Sequence, residues 1–302
     1  MPLVSVIVNI RNGSAFLRDA LDSVIAQGFT DWELIAWDDR STDNSAQIVA
    51  EYGDPRVHYY LSPAETPLGK ARDLAIRQSR GEWLAFIDQD DLWLPNKLEK
   101  QIALAAPDVG LIYGRTLMFD RRGELRDYDY AHEFECLPEG EIFQQLFRHG
   151  CFIAMSSAML RRSAVEQIGG IPDEIQVVPD YFLYTAIAHR YRARAVQDVI
   201  CRYRVHAASM SASPEHRRRL YTEPLAIIDR WAGQLDPKIV AHRRRANSTA
   251  LALQELRQLN SAPAGLRRLL TAGSVLWLSS RPCVRAWRVL HRTLRRPYHK
   301  AR

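Results

Sequence analysis

Short apolar runs rich in β-branched side chains alternate, over the first ~115 residues, with stretches whose apolar positions recur at helical spacing. Leu3 to Ile10 reads as a first strand. Phe16, Leu17, Leu21, Val24 and Ile25 share one face of a helix that Ser14 is placed to cap and Gly28 to stop. Glu33 to Trp37 then reads as a strand, Ser41 to Tyr52 as a helix, Val57 to Tyr60 as a strand, Leu68 to Gln78 as a helix and Trp83 to Ile87 as a fourth strand. This alternation predicts β-α-β units around a mostly parallel central sheet flanked by helices, an α/β fold. In such sheets ligands bind beyond the carboxyl ends of the strands, so the polar residues after each run are the first candidates for chemistry.

After Asp91 the regularity fades. Pro95 starts a helix, Leu111 to Phe119 is extended, and Arg121 to Gly140 is a polar, Tyr-rich and acidic loop region. Helical patterns return at Glu141 to Arg148 and Tyr181 to Tyr191, and strands are expected around Met155 to Arg161 and Ala195 to Tyr203. From about Pro214 the chain is helical and Arg-rich to its end.

Composition narrows the class. With 302 residues, 47% hydrophobic and 25% charged, the chain is neither disordered nor fibrous. No apolar run is long enough for a conventional spanning helix. The β-rich start lacks a basic leader and a small-residue cleavage site, which disfavours export. Cys136, Cys151, Cys201 and Cys283 lie far apart with no C-x-x-C pair, which argues against a zinc module or a disulfide framework and points to a reducing cytosol.

The net charge of +6 is unevenly spread. Residues 243–302 hold 14 Lys and Arg against one acid, Glu255, whereas the rest of the chain is net acidic. The stretch 264–278 is apolar but too short to span a bilayer. After Pro282, Val284, Trp287, Leu290 and Leu294 fall on one side of a helical wheel and Arg285, Arg288, Arg292, Arg295 and Arg296 on another. Such a helix is suited to lying on an anionic membrane at the inner face of the cell, and equally to docking on the body of the protein with its arginines exposed. No helix-turn-helix, zinc-finger or RNP-like pattern accompanies the charge, so nucleic acid is not assigned as a partner.

Two acidic clusters follow predicted strands: Asp38-Asp39 and Asp88-Gln89-Asp90-Asp91. Crowded carboxylates repel unless a cation or hydrogen-bond donors compensate, and hard divalent ions held through oxygen supply such compensation. A metal bridging a carboxylate and a diphosphate would stabilise a phosphate leaving group, which implies a nucleotide-linked substrate. Either pair alone is also ordinary turn chemistry. Neither G-x-G-x-x-G nor a P-loop is present to hold the phosphates.

Here the residues resemble a known family. Val4-Ser5-Val6-Ile7-Val8 with Asn12, Trp32-Glu33-Leu34 through Asp38-Asp39-Arg40-Ser41-Thr42-Asp43, Gly69 with Ala71-Arg72, and Gly81-Glu82-Trp83 into Phe86-Ile87-Asp88-Gln89-Asp90-Asp91 are similar in order and spacing to the family 2 glycosyltransferases of GT-A fold. A weaker likeness continues through Ser157 to Arg161, Ile168-Gly169-Gly170 and Tyr203-Arg204-Val205-His206. The resemblance implies a GT-A catalytic domain over 1–213, with a nucleotide-binding half 1–115 and an acceptor-binding half 116–213, followed by a basic helical extension over 214–302. It also implies inverting transfer of a sugar from a nucleoside diphosphate, UDP first, to a hydroxyl of a glycan or lipid-linked glycan in surface polysaccharide synthesis.

By the same resemblance Asp39 receives the nucleotide base, and Asp88 and Asp90 form a D-x-D element meeting ribose, diphosphate and Mn²⁺ or Mg²⁺, with Asp90 the metal ligand. Asn9 and Arg11 stand where the family usually has Pro and Tyr, at the donor site. Arg72 lies near the nucleotide or is a solvated helix residue. Val178-Pro179-Asp180-Tyr181 occupies the place of the family's catalytic carboxylate, with Pro179 where Glu is usual. Asp180 is then the base that deprotonates the acceptor, a helix N-cap, or both. His206 completes the metal shell or is a surface histidine, Arg204 opposes the diphosphate, and Trp93 packs beneath the loop. A sugar nucleotidyltransferase and a non-catalytic glycan-binding protein are the competing functions; the first wants a Gly-rich basic loop near the N-terminus, where only Arg11 and Gly13 stand.

Overall fold

Period-two alternation along apolar strands sends successive side chains to opposite faces of a sheet, and here both faces are covered. The computed structural model describes residues 1–127, 131, 133–206, 209 and 214–261. In it β1 (Val4–Ile10), β2 (Trp32–Asp38), β3 (Val57–Leu61) and β4 (Trp83–Asp88) run parallel in the order β3-β2-β1-β4. Val4, Val6, Val8, Leu34, Ala36, Ala85 and Ile87 pack on one side against Leu17, Leu21 and Val24 of α1 (Leu17–Ile25) and Ile48 of α2 (Ser45–Ala50). Ile7, Ile35, Trp37, Leu84 and Phe86 face the other side, against Ala71, Ala75 and Ile76 of α3 (Leu68–Gln78). Each large aliphatic or aromatic side chain buried this way contributes about 1.5–3 kcal/mol.

Beyond β4 the sheet becomes mixed. Next along the chain come β5 (Leu92–Trp93), α4 (Lys97–Ile102), β6 (Val109–Asp120), β7 (Gly123–Asp127) and α5 (Phe143–His149). They are followed by β8 (Met159–Arg161), α6 (Arg162–Gln167), α7 (Pro179–Ala188) and β9 (Arg192–Arg204). The strand order continues β4-β8-β6-β9-β5, with β7 paired to β6. β8 is antiparallel to β4 and β6, β5 is antiparallel to β9, and β6 and β9 pair in parallel. The last described elements are α8 (Pro214–Arg217), α9 (Arg219–Trp231) and α10 (Pro237–Ser261).

Several boundaries differ from the sequence reading, each for a local reason. Ser14 does not cap α1; its amide donates to Asp43 Oδ2 and the helix starts at Leu17. α2 begins at Ser45 rather than Ser41, and the Ser41 and Thr42 amides donate to Asp38 Oδ1 and Asn12 Oδ1 in the loop ahead of it. α4 begins after Asn96, whose φ of 63° is incompatible with a helix running on from Pro95. Met155–Ser157 is a 3-10 turn ahead of the short β8, and β7 forms a hairpin with β6 inside the expected loop.

Residues Met1–Arg243 form one compact unit and the chain from Arg244 belongs to a second. α9 lies in the first, where Ile227 and Ile228 are buried in the same core as Phe182 of α7. No helix among the described residues is long and apolar enough to cross a membrane. The expected amphipathic helix after Pro282 and the apolar stretch 264–278 lie outside the described residues.

Candidate active site

Strand register brings the polar ends together. Ile10 pairs with Asp38 and Asn9 with Asp88, so three strands finish side by side at one rim. The loops that follow are laced to one another: Asn12 N donates to Ser41 Oγ (2.9 Å), Gly13 N to Ser45 Oγ (3.0 Å), and Arg11 N to Gln89 Oε1 (2.9 Å). Hydrogen bonds from Ser45 and Ser14 outweigh the effect of burial and hold Asp43 down at about 2. Asp43 is thus a structural anion that joins the loops after β1 and β2.

The two members of the first acidic pair have different surroundings. Asp38 accepts from Ser41 N (2.7 Å) and from the Tyr59 hydroxyl (2.9 Å), a turn arrangement closed on itself. Asp39 is buried and turns the other way, where both its oxygens accept from Thr66 N (3.1 Å each) and Oδ1 also from Thr66 Oγ (3.0 Å). Arg11 reaches across the same opening to the carbonyls of Asp39 and Arg40 and to Glu65 Oε2 (2.6 Å). Asn9 Nδ2 is buried without a hydrogen-bond partner.

The second acidic cluster is divided by function too. Arg72, only 4% exposed, extends from α3 to Asp88, with Nη2 2.5 Å from Oδ1. It is therefore not a solvated helix residue. Asp91 is wholly buried and accepts from Ser156 Oγ (2.5 Å) and Arg204 N (2.9 Å), while Ser156 Oγ accepts from Asp88 N (2.9 Å). Trp93 is buried and donates its indole N–H to Ser156 O (2.7 Å), which packs it beneath the loop as expected.

Asp90 Oδ2 lies 2.7 Å from His206 Nε2, and the imidazole rests against the Phe16 ring at 4.8 Å. Burial and then the neighbouring Asp88 charge push Asp90 upward, with His206 opposing. Burial, Asp90 and Asp88 drive Asp91 well above the usual carboxylate range. Arg204 lies beside the same loop: Nε donates to Asp90 O (2.7 Å), Nη2 to Asp19 Oδ2 (3.0 Å), and the guanidinium lies near the Phe16 and Phe119 rings. Its place in this structure is to hold the end of β9 against the D-x-D turn.

Asp180 sits in the first turn of α7, but Val178 takes the N-cap position and Pro179 follows it, so Asp180 is not the cap. Its Oδ1 accepts from Tyr181 N (2.8 Å). Burial raises it to about 6; Arg72 and the Tyr181 amide pull it down and the Asp88 charge pushes it up. Asp180, Arg72 and Asp88 therefore form one electrostatic unit although they are far apart in sequence. A carboxylate poised near neutrality can take a proton during reaction.

Sequence reasoning missed Thr66, Glu65, Gln89, Ser156 and the buried role of Asp91. Ser156 and Ser157 carried a readable signal, two hydroxyls inside the apolar run Phe152 to Leu160. The others are single polar residues in polar loops, and only their contacts distinguish them.

Comparison with known proteins adds an independent line. The sequence model of Glycosyl transferase family 2 matches residues 5–169. An uncharacterized glycosyltransferase of Rickettsia typhi is 28% identical over 215 residues, which is 68% of this chain and 65% of that protein. The chain thus spans slightly under two thirds of that relative. The Escherichia coli protein named UDP-Glc:alpha-D-GlcNAc-diphosphoundecaprenol beta-1,3-glucosyltransferase WfgD is 26% identical over 216 residues, covering 70% of this chain and 80% of its own. Among solved structures, the mannosyltransferase PcManGT from Pyrobaculum calidifontis, in complex with GDP-Man and Mn²⁺, superposes with a TM-score of 0.60 at 22% identity, covering 95% and 83% of the two chains.

Proposed function

Because this chain belongs to glycosyl transferase family 2, we propose that it transfers a sugar, with inversion, from a nucleoside diphosphate to a hydroxyl of a glycan or lipid-linked glycan. The observation that carries this reading is the buried Arg72–Asp88 ion pair at the carboxyl rim of the sheet, with Asp180 in the first turn of α7 near enough to feel both charges. Asp39, with Asn9 and Arg11, lines the place of the base. A carboxylate accepts an N–H from uracil, and the relative from Escherichia coli is named for UDP-Glc, so UDP is the nucleotide assigned.

Asp88 and Arg72 face the ribose and diphosphate. Asp90 and His206 already converge and would hold a divalent ion there, the carboxylate oxygen suiting Mn²⁺ or Mg²⁺ and the imidazole nitrogen favouring Mn²⁺ of the two. When bound there, the ion neutralises charge on the leaving diphosphate. The acceptor hydroxyl attacks the anomeric carbon from the face opposite the diphosphate, and Asp180 takes its proton. The anomeric C–O bond breaks with its electrons on the diphosphate, so one displacement inverts the centre.

The test is transfer from UDP-sugars with Mn²⁺, with EDTA, and by Asp90→Ala. Transfer that stops with EDTA and collapses in the variant supports the reading, whereas full metal-free turnover refutes the role of Asp90 and His206. Thermal shifts with UDP and GDP decide the base, since a ligand bound by the native state raises its melting temperature. Selective stabilisation by GDP would replace UDP in this assignment. The basic stretch 243–302 is assigned to the surface of an anionic membrane that presents a lipid-linked acceptor. Failure to co-sediment with phosphatidylglycerol vesicles at low salt would remove that contact.

A further inference from the structure

The family match ends at residue 169, eleven positions ahead of Asp180, so the helix that carries this carboxylate lies outside the matched residues. The helix that carries Asp180 has an unusual start. Val178 occupies the N-cap position of α7 and offers no side-chain oxygen to the free amides there. The acceptor comes instead from another helix. Glu223 of α9, 5% exposed, accepts from Val177 N (2.8 Å) and Val178 N (3.0 Å) through Oε2, and its Oε1 takes Arg219 Nη1 (3.3 Å). A carboxylate accepting two amides at a helix start is favoured both by charge-assisted hydrogen bonding and by the helix dipole.

The same segment is fastened on its other side by α3. Gly69 N donates to Gln176 O (3.3 Å), and Ile171 N to Asp73 Oδ1 (3.3 Å). A Cβ at Gly69 would lie 2.0 Å from Ile175 O, so the close approach of helix and loop requires glycine. α3 also carries Arg72, the cation that pairs with Asp88 and pulls Asp180 down. Residues 171–178 are therefore held between α3 and α9. α9 is itself fixed by Ile227 and Ile228 in the core and by Trp231, whose ring lies 5.4 Å from Phe143 and 4.6 Å from His189.

We infer that Glu223 is a positioning residue for catalysis: its carboxylate sets the first turn of α7 and so aims Asp180, making α9 part of the catalytic apparatus. This rests on Asp180 being the base. A displacement of about 1 Å at a reacting group costs about 10²-fold in rate, and the two amides bonded to Glu223 immediately precede the turn that holds it. An alanine at 223 leaves both amides without an acceptor. A glutamine keeps an acceptor oxygen for them but turns an N–H₂ towards Arg219.

The experiment uses the full chain, with transfer kinetics, UDP affinity in Mn²⁺ and melting temperature measured for Glu223→Ala, Glu223→Gln and Asp180→Asn. Glu223→Ala is expected to lose about 10²-fold in kcat and Glu223→Gln about tenfold, with UDP affinity within about twofold of the parent in both. The acid limb of kcat/KM for the acceptor should also move from about 6 towards the ordinary carboxylate range, which a purely structural loss would not do. In an Asp180→Asn background Glu223→Ala should cost no further transfer. Loss of UDP affinity in step with kcat, or an unchanged kcat and acid limb in a folded Glu223→Ala, overturns the inference. Should that variant not fold, the same unchanged pair in Glu223→Gln overturns it. Asp180→Asn separates the two readings: if it transfers normally the base assignment fails, and if it is inactive while Glu223→Ala is normal, only this inference fails.

Discussion

The two ends of the parallel strands β1, β2 and β4 treat their carboxylates in opposite ways. At the amino end Glu33 is enclosed, yet Ser5 Oγ (2.7 Å), Arg80 N (2.6 Å) and the Arg80 guanidinium (3.0 and 2.8 Å) all donate to it. Burial pushes its pKa up, but these bonds outweigh burial and leave it below the usual value. Gly81 permits this closure, since a Cβ there would lie 2.5 Å from Ser5 N. At the carboxyl end Asp90, Asp91 and Asp180 are all raised, with burial the first cause in each. Glu33 is an acid whose donors are complete, and so it stabilises the fold. The rim acids repel one another, and Arg72 and His206 compensate only part of that; a site that receives a proton or a cation has this character.

The comparison breaks first at Asp180. Asp180→Asn should reduce transfer by about 10³-fold while leaving UDP binding intact, and it should raise the melting temperature. The folded value near 6 exceeds the ordinary 3.8, so the folded state holds the proton more tightly and its stability falls as pH rises between them. The advantage of the variant over the parent should therefore grow from about pH 4 to about pH 6 and then level off. A constant difference across that range would deny the raised pKa.

Glu33→Ala tests the other end. It should cost about 2 kcal/mol of stability by leaving the buried Ser5 hydroxyl without its acceptor, read as a lower denaturation midpoint, while kcat stays within about twofold. Its pH signature runs the other way. The lowered pKa of Glu33 contributes stability that is complete above the unfolded value and is lost as pH falls through the folded one. A loss of kcat without loss of stability would abolish the division between the ends.

Arg72→Ala sharpens the comparison at smaller amplitude. Removing the cation beside Asp88 and Asp180 should raise Asp180 further, moving the acid limb of kcat/KM upward from about 6 and weakening UDP binding about tenfold. An acid limb that stays in place would detach Arg72 from the base.

Much of the first half was legible along the chain because its signals are local. A strand buried on both faces shows as a continuous apolar run, and α3 was bounded at Leu68 and Gln78 by its own spacing. The polar ends of β2 and β4 are likewise sequence-adjacent to their strands, so Asp39, Asp88 and Asp90 could be named as candidates. The tertiary structure decided the rest, since pairing, burial and charge compensation join residues distant in sequence. Only contacts separate Asp38, closed on Ser41 and Tyr59, from Asp39. Only contacts turn Arg72 into a buried ion-pair partner, commit Arg204 to Asp90 and Asp19, and give Glu223 the amides ahead of Asp180. The amino-acid sequence by itself determined which residues carry charge and which strands carry them to a rim. Folding determined which charges are left incompletely compensated there, because compensation depends on distance and solvent exclusion, and neither exists until the chain has closed on itself.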